Sequence, residues 1–435
     1  MEKFLGIKIR SLRTSMGISQ SKLAQGLISN SYLSNIEKGR KIPSFEILHE
    51  LASRLDTTDT IFYEDKNLEL KTEQLLVFEK CFDYIKRGNI DDYHKTLDLV
   101  NYYKLVNLEF CFIYDALVTI ADYRLFEQEG GHREDEINIL LEEIDTLEVS
   151  ELLSELLLYL QIVRSVFNED FPKAGMWYHE YGSLLLKKEA IDDYIVAEMN
   201  SLVNYLNCNK LDSAYEIANN LEYFIMENEE KLGKAKYSLY ALSYYRGFIY
   251  KNLNLHFQSL KAFAKMDDSM IRRDEQGHYH FILSLIERGN IYESIDSTLA
   301  ASYYEDAYIE FCKYSQNEES WYWYGEPLSR LFLYYCKVKD FEKSEFLLKK
   351  SEKVNLSQYD DQAYLLYGKS LYEEYLGNRQ KQVDYLEQAL ILQKLSKTKL
   401  LIRTICLKLS NVHYNSSQYK KAHYYLVYCV ENASL

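Results

Sequence analysis

The sequence predicts an all-α protein, and two features carry this prediction. Only 3 of the 435 residues are proline and 16 are glycine, so few residues interrupt a helix. From about residue 70 onward, strand-like alternation is absent and polar breaks recur at near-constant spacing instead. Hydrophobic residues make up 47% of the chain, and its length favours more than one unit.

Short helices are predicted within residues 1–64, which we call the head. Gly17 and Gly39 are expected to end helices, and Ser19 and Ser44 to cap the N-termini of the helices that follow them. A last helical segment near Ile61 completes a five-helix domain. The other expected helices span residues 4–16, Gln20 to Leu27, Asn30 to Lys38 and Phe45 to Leu55.

Charge is divided unevenly along the chain. Residues 1–60 hold nine Lys/Arg and six Asp/Glu, a net of +3, whereas the remainder holds 42 basic and 60 acidic residues, a net of −18. A small basic head on an acidic body indicates that only the head approaches the phosphates of nucleic acid.

The head carries a recognisable pattern of small, apolar and polar residues: Leu23-Ala24, a short turn, Ser29 to Gly39, then Pro43-Ser44. It resembles the phage-repressor-like (XRE) helix-turn-helix family. The resemblance implies that the second helix of the pair lies in the major groove of DNA, and that an arginine of the first helix, Arg10, forms a structural ion pair with Glu37. The alternatives are a small helical domain that binds protein and a helix-turn-helix that has lost its DNA-binding role.

Polar side chains on and around that second helix are the expected DNA contacts. Amides and hydroxyls pair with base edges, whereas cationic side chains hold phosphates and set the register. The expected residues are Gln20, Ser29, Asn30, Ser31, Tyr32, Asn35, Lys38, Arg40 and Lys41.

One departure from the usual family pattern makes the head resemble a particular group within the family. The stretch from Leu23 to Ser29 is one residue shorter than usual, and its glycine, Gly26, comes earlier. This variant is similar to the PlcR and NprR regulators of the peptide-pheromone-responsive group, which also includes the Rgg, PrgX and Rap proteins.

A repeat domain is predicted over residues 73–435, after a linker over residues 65–72. Polar breaks 38 to 45 residues apart predict about nine stacked helix pairs that coil into a right-handed superhelix. Period alone also allows HEAT-type pairs, but the small and aromatic residues from Gly247 to Phe263, and again from Leu299 to Ala307, favour tetratricopeptide-like (TPR-like) pairs. The breaks lie near Asn89, Gly130, Glu169, Asn209, Asn254, Asp296, Asp340, Asn378 and Ser417.

The inner wall of such a superhelix is lined by the first helix of each pair and suits an extended peptide. Side-chain amides can pair with both the N–H and the C=O groups of a peptide backbone, and an arginine can bind its carboxylate. The resembled group carries peptide-contacting asparagines on such helices. The expected peptide-binding residues, chosen by helical spacing, are Asn200, Asn204, Tyr240, Tyr244, Tyr279, Trp323 and Arg330; packing is the alternative role for each.

Several other classes of protein find little support in the sequence. The seven cysteines are scattered, the N-terminus is charged and the longest apolar stretch is short, so we expect free thiols and a cytoplasmic location. His278 and His280 point to different sides of a helix and make a poor metal site. Because phosphate-binding and nucleophile motifs are also missing, we expect neither an enzyme nor a cofactor.

Three hypotheses for function follow. The favoured one is a homodimeric quorum-sensing transcription regulator that binds a pseudo-palindromic operator and is switched by a short signalling peptide in the TPR groove. In the second, the repeat domain is a scaffold that binds a response-regulator protein, as Rap proteins do, alone or in addition to DNA binding. The third is a helix-turn-helix repressor without a ligand.

Overall fold

The computed structural model describes residues 2–62, 67–128, 131–143, 147–232, 238–267, 275–293, 295–314, 325–351, 359–396 and 401–432. Within these ranges the regular structure is helical, and no strand occurs. The chain divides into two compact units, Met1–Lys236 and Tyr237–Leu435, which we call the first and second units. The prediction of an all-α fold is confirmed.

The head contains four α-helices and one 3-10 segment, as predicted. Hydroxyls of Ser19, Ser29 and Ser44 accept hydrogen bonds from backbone N–H groups of the helices that follow them, as N-caps do. The second helix ends at Ala24, earlier than predicted, because the left-handed Gly26 (φ +74°) stops it. The segments are α1 (Glu2–Ser15), α2 (Gln20–Ala24), α3 (Asn30–Glu37), α4 (Phe45–Arg54) and the 3-10 segment Asp59–Phe62.

Eight further α-helices follow the head among the described residues of the first unit. They form four pairs; α5 packs against α7 and α7 against α9, whereas α11 packs mainly against α10. The helices are α5 (Leu68–Arg87), α6 (Ile90–Leu97), α7 (Leu108–Leu125), α8 (Gly131–Glu143), α9 (Glu151–Phe167), α10 (Phe171–Lys187), α11 (Ile191–Asn207) and α12 (Leu211–Glu227).

The second unit contains five helix pairs among its described residues. Together with the four pairs of the first unit they give the predicted nine. The helices are α13 (Ser238–Asn252), α14 (His256–Ala264), α15 (Glu275–Tyr292), α16 (Ser297–Tyr314), α17 (Gly325–Val338), α18 (Phe341–Ser351), α19 (Tyr359–Tyr375), α20 (Arg379–Leu395), α21 (Ile402–Tyr414) and α22 (Tyr419–Asn432).

The predicted polar breaks are turns between the two helices of a pair. In eight pairs a left-handed residue with φ between 50° and 77° lies in this turn. Four of these residues are predicted breaks, and three others immediately precede one; the predicted break at Gly130 lies outside the described residues. The left-handed residues are Gly88, Glu127, Glu169, Asn209, Asn254, Lys339, Gly377 and Ser417.

Small residues and aromatic rings fill the pairs as the TPR-like pattern predicts. A Cβ atom added to Gly247 in α13 would lie 2.4 Å from the ring of Phe263 in α14, and one added to Gly289 in α15 would lie 2.4 Å from the ring of Tyr304 in α16. The rings therefore occupy the space that a larger residue would need.

The predicted linker is partly helical. Helix α5 begins at Leu68 because the side chain of Asn67 accepts hydrogen bonds from the backbone N–H groups of Glu69 and Leu70, so residues 68–72 are helical. The buried core of the head is also continuous with that of the first repeats, from Ile9 through Phe112. The expected division into residues 1–64 and 73–435 remains a prediction.

The seven cysteines are free, and five of them are buried. Burial raises the pKa of the Cys81 thiol to about 12 and those of Cys336 and Cys406 to about 11. Because the thiolate is the reactive form, we expect a maleimide at neutral pH to modify the exposed Cys312 first and the partly buried Cys208 more slowly. Mass spectrometry checks this; modification of Cys81 at the rate of Cys312 would contradict it.

None of the helices within the described ranges combines the length and the apolar character needed to cross a membrane.

Candidate functional site

Helix α3 presents a polar face next to a buried apolar face. Asn30 and Ser31 are exposed at its N-terminal end, whereas Leu33 and Ile36 are at most 1% exposed and anchor the helix to the head. The cations that follow the helix, Lys38, Arg40 and Lys41, are exposed as well. This is the arrangement that a recognition helix needs, with polar atoms outward and flanking charge for phosphates.

Three other predicted DNA contacts are partly engaged in contacts within the protein or partly buried. The hydroxyl of Ser29 accepts a hydrogen bond from the N–H of Tyr32 at 3.1 Å. The Tyr32 hydroxyl donates to the carbonyl of Ile42 at 3.4 Å, and the Tyr32 ring packs against the core. Asn35 is half-buried. Tyr32 therefore also holds the segment that follows α3.

The predicted ion pair between Arg10 and Glu37 is wrong. Arg13 binds Glu37 instead through two contacts, Nε to Oε1 at 2.6 Å and Nη2 to Oε2 at 3.0 Å. Arg10, one turn earlier on α1, pairs with Glu142 of α8 at 3.1 Å. Arg10 and Arg13 lie on neighbouring parts of one helix face, because they are three residues apart. Glu142 of α8 provides a second carboxylate beside this face, and Arg10 binds it instead of Glu37.

Gln20, which was expected to contact phosphate, belongs to the same buried cluster. Its amide nitrogen donates to Oε2 of Glu37 at 2.7 Å. The carboxylate of Glu37 is 3% exposed and thus joins α1, α2 and α3. The contact between Gln20 and Glu37 was not predicted, because Glu37 was paired with Arg10, one turn earlier on α1 than its actual partner, Arg13.

The predicted peptide-binding residues of the first unit lie on α11. Asn200 is half-buried, and Asn204 is 8% exposed with its amide donating to the carbonyl of Asn200 at 2.8 Å. The shared stripe predicted from their spacing is present, but Asn204 faces the protein interior. A ligand would reach Asn200 more easily than Asn204.

A cavity of about 380 Å³ between α7, α9 and α10 was missed at the sequence level. Rings of Tyr123, Tyr159, Phe167 and Tyr178 line it together with the exposed Arg124. Burial raises the pKa of Tyr178 to about 12, and the positive charge of Arg124 opposes this rise. An arginine beside phenol rings suits a carboxylate attached to an apolar group.

Three predicted tyrosines of the second unit lie on α13 and α15. Tyr244 is 8% exposed and packs against Phe263 and His280, with ring centroids 6.0 and 5.3 Å apart, so it belongs to the core and does not line an open groove. Tyr240 and Tyr279 are half-buried against the same core. His280 joins this cluster and was not predicted.

The last two predicted peptide contacts have different outcomes. The guanidinium of Arg330 lies 3.5 Å from the ring centroid of Tyr364, a cation–π contact that already occupies one of its faces. Trp323 lies outside the described residues. The part of the chain that the structure describes contains no cluster of three His, Cys, Asp or Glu residues able to hold a metal ion.

Comparison with known proteins agrees with this architecture. Residues 9–62 match the helix-turn-helix family HTH_3, and no curated protein sequence matches the chain. Apo NprR, a quorum sensor from B. thuringiensis, is 13% identical with a TM-score of 0.57, over 84% of this chain and 99% of NprR. Apo RapI is 13% identical with a TM-score of 0.59, over 82% of this chain and 96% of RapI. NprR in complex with its cognate peptide NprX is 13% identical with a TM-score of 0.48, over 85% of this chain and 99% of that NprR chain.

The chain is therefore a helix-turn-helix protein with a helical-repeat body. Within that class, its head is of the XRE type, and its fold is similar to those of the quorum sensor NprR and of RapI.

Proposed function

We propose that the protein is a transcription regulator that binds operator DNA through α3. The observation that carries the proposal is the polar, exposed N-terminal end of α3 on a firmly packed helix-turn-helix. Asn30, Ser31 and Asn35 pair with base edges, and Lys38 and Arg40 hold phosphates. The net charge of +3 on residues 1–60 against −18 on the remainder directs the head to DNA.

The same proposal includes a homodimer and a peptide signal. Two heads would bind a pseudo-palindromic operator whose half-sites are about 10–10.5 bp apart, or multiples of that distance. A signalling peptide is supported by the shared fold with NprR, which is a quorum sensor with a cognate peptide. In the first unit, the cavity beside Arg124 is suited to an apolar side chain and the carboxylate of such a peptide.

Binding of a response-regulator protein is the second candidate function. The resemblance to the Rap group suggests it, and the fold is similar to that of RapI. A titration separates the two. Saturable uptake of members of a synthetic peptide library with a change in oligomer size supports the peptide receptor. A stoichiometric complex with a response regulator, together with indifference to all peptides, supports the scaffold.

Removal of the polar side chains of α3 tests the DNA-binding function. Duplexes are first selected from a random-sequence library with the native protein. We then expect Asn30→Ala/Ser31→Ala/Asn35→Ala to bind the selected duplex at least about 100-fold more weakly, because each specific contact contributes about 1–3 kcal/mol. Tyr32 is left intact, since it also packs against the head.

A matched variant controls for the number of substitutions. Ser53, Thr60 and Thr72 are exposed outside α3, and their replacement by alanine should leave binding within a few-fold of the native value. If the α3 variant has native circular dichroism and native affinity for the selected duplex, α3 is not the recognition helix.

A further inference from the structure

Helix α1 contacts two different parts of the first unit. On one side it packs so closely against α3 that a Cβ atom at Gly6 would lie 2.5 Å from the carbonyl oxygen of Ile36. On the other side it packs against α7 and α8 of the repeats, where the ring of Phe4 lies 5.8 Å from that of Phe112. The helix that supports α3 is thus also the helix that docks on the repeats.

A buried charged cluster lies at the centre of this docking contact. Lys8 of α1 is 0% exposed and Asp115 of α7 is 1% exposed, with 3.1 Å between Nζ and Oδ2. The Tyr102 hydroxyl accepts from Lys8 Nζ at 2.6 Å and donates to Asp115 Oδ2 at 3.2 Å. The two charged residues are 107 positions apart in the sequence.

Burial of this pair has a particular energetic consequence. When α1 and α7 separate, Lys8 and Asp115 both regain hydration, so the pair adds little net free energy to docking. Docking in any other register would bury a charge without its partner, which is strongly unfavourable. The cluster therefore disfavours registers other than the docked one, while the apolar core that α1 shares with α7 and α8 supplies the free energy of docking.

We propose that α1 is a latch that ties the DNA-reading head to the first repeat pairs, and that Lys8, Asp115 and Tyr102 form the contact that sets its register. While the latch is closed, the repeats fix the orientation of α3. A signal that reaches α7 is transmitted to α3 through α1. The latch itself follows from the geometry, whereas its effect on DNA binding rests on the proposed function.

Two variants separate the loss of one charge of the pair from the loss of both. Asp115→Leu removes the buried carboxylate that Lys8 binds at 3.1 Å, so we expect the docking equilibrium to fall by a factor of roughly 100 or more. Lys8→Met/Asp115→Leu removes both charges of this pair and should remain docked about as firmly as the native chain. Glu142→Gln is the matched control, because it breaks only the exposed pair with Arg10.

Time-resolved fluorescence anisotropy of the full chain measures docking directly. One fluorophore replaces Lys22 on α2 and, in a second sample, Lys95 on α6; both lysines are exposed. In the native chain both labels should report the same slow rotation. Asp115→Leu should add a fast component at position 22 only, and the double variant and Glu142→Gln should restore or keep the native decay.

The outcomes of the anisotropy measurement are independent of the outcomes of the DNA-binding test. An unchanged decay at position 22 in Asp115→Leu, or a fast component that persists in the double variant, would overturn the latch. Should Asp115→Leu fail to fold, seen as a changed decay at position 95, Lys8→Gln replaces it as the release variant. Failure of the native protein to bind any selected duplex refutes the proposed function and leaves the anisotropy result standing.

Discussion

Gly6→Val is expected to unfold the head. The added Cβ atom would lie 2.5 Å from the carbonyl oxygen of Ile36 and 2.7 Å from that of Glu37. Both are backbone atoms in the last turn of α3, so no side-chain rotation relieves the clash and the two helices must separate. Overpacking of a well-packed site typically costs about 1–3 kcal/mol and occasionally more, and we expect at least the upper value here.

Hydrogen exchange of the full chain measures this effect, because it reports on each helix separately. Amides of α1 and α3 should lose their protection in Gly6→Val, while those of α11 keep it. The control is Gly26→Ala, where the added methyl group meets open space and only the positive φ of +74° is strained, a cost of roughly 1–2 kcal/mol. Native protection of α3 in Gly6→Val would show that α1 and α3 are not packed as described.

The helices and turns of this protein are predictable because short-range patterns determine them. Ser19, Ser29 and Ser44 each precede a helix and cap it, and the turn residues at Glu169 and Asn209 interrupt apolar periodicity. Asparagine tolerates the left-handed conformation that these turns require. Both the caps and the repeat period therefore depend on neighbouring residues alone.

The docking of the head is not predictable in the same way. Lys8 lies between apolar residues on α1, and a lysine at such a position is normally exposed. Its burial depends on Asp115 and Tyr102, which only the folded chain brings near it. For the same reason the partner of Glu37 was misplaced, since the contact between Arg10 and Glu142 joins residues 132 positions apart.

The candidate peptide site shows a further limit of helical spacing. Spacing correctly placed Asn200 and Asn204 on one stripe of α11, and Tyr240 and Tyr244 on one stripe of α13. It does not reveal which end of a stripe faces the interior, and Asn204 and Tyr244 are both buried. The cavity beside Arg124 draws on three helices at once, so no single helix pattern indicates it.

Glu37→Leu is expected to have the second large effect on the head. The substitution removes the carboxylate that two donors of Arg13 and the amide of Gln20 bind. Arg13 is 12% exposed, so water cannot replace the lost partner fully. Breaking a buried ion pair from one side costs about 3–5 kcal/mol, and hydrogen exchange in α2 and α3 should accelerate accordingly.

A double variant shows whether the charge or the shape of this cluster matters. In Arg13→Met/Glu37→Leu no buried charge is left unpaired, so stability should return to within about 1–2 kcal/mol of the native head or exceed it. Glu142→Gln should change stability by less than about 1 kcal/mol, because its ion pair with Arg10 is exposed. If the double variant is as unstable as Glu37→Leu, the cluster acts through packing. If it is stable but binds the selected duplex less well, the ion pair orients α3, since it joins the last turn of that helix to α1, the helix that also docks on the repeats.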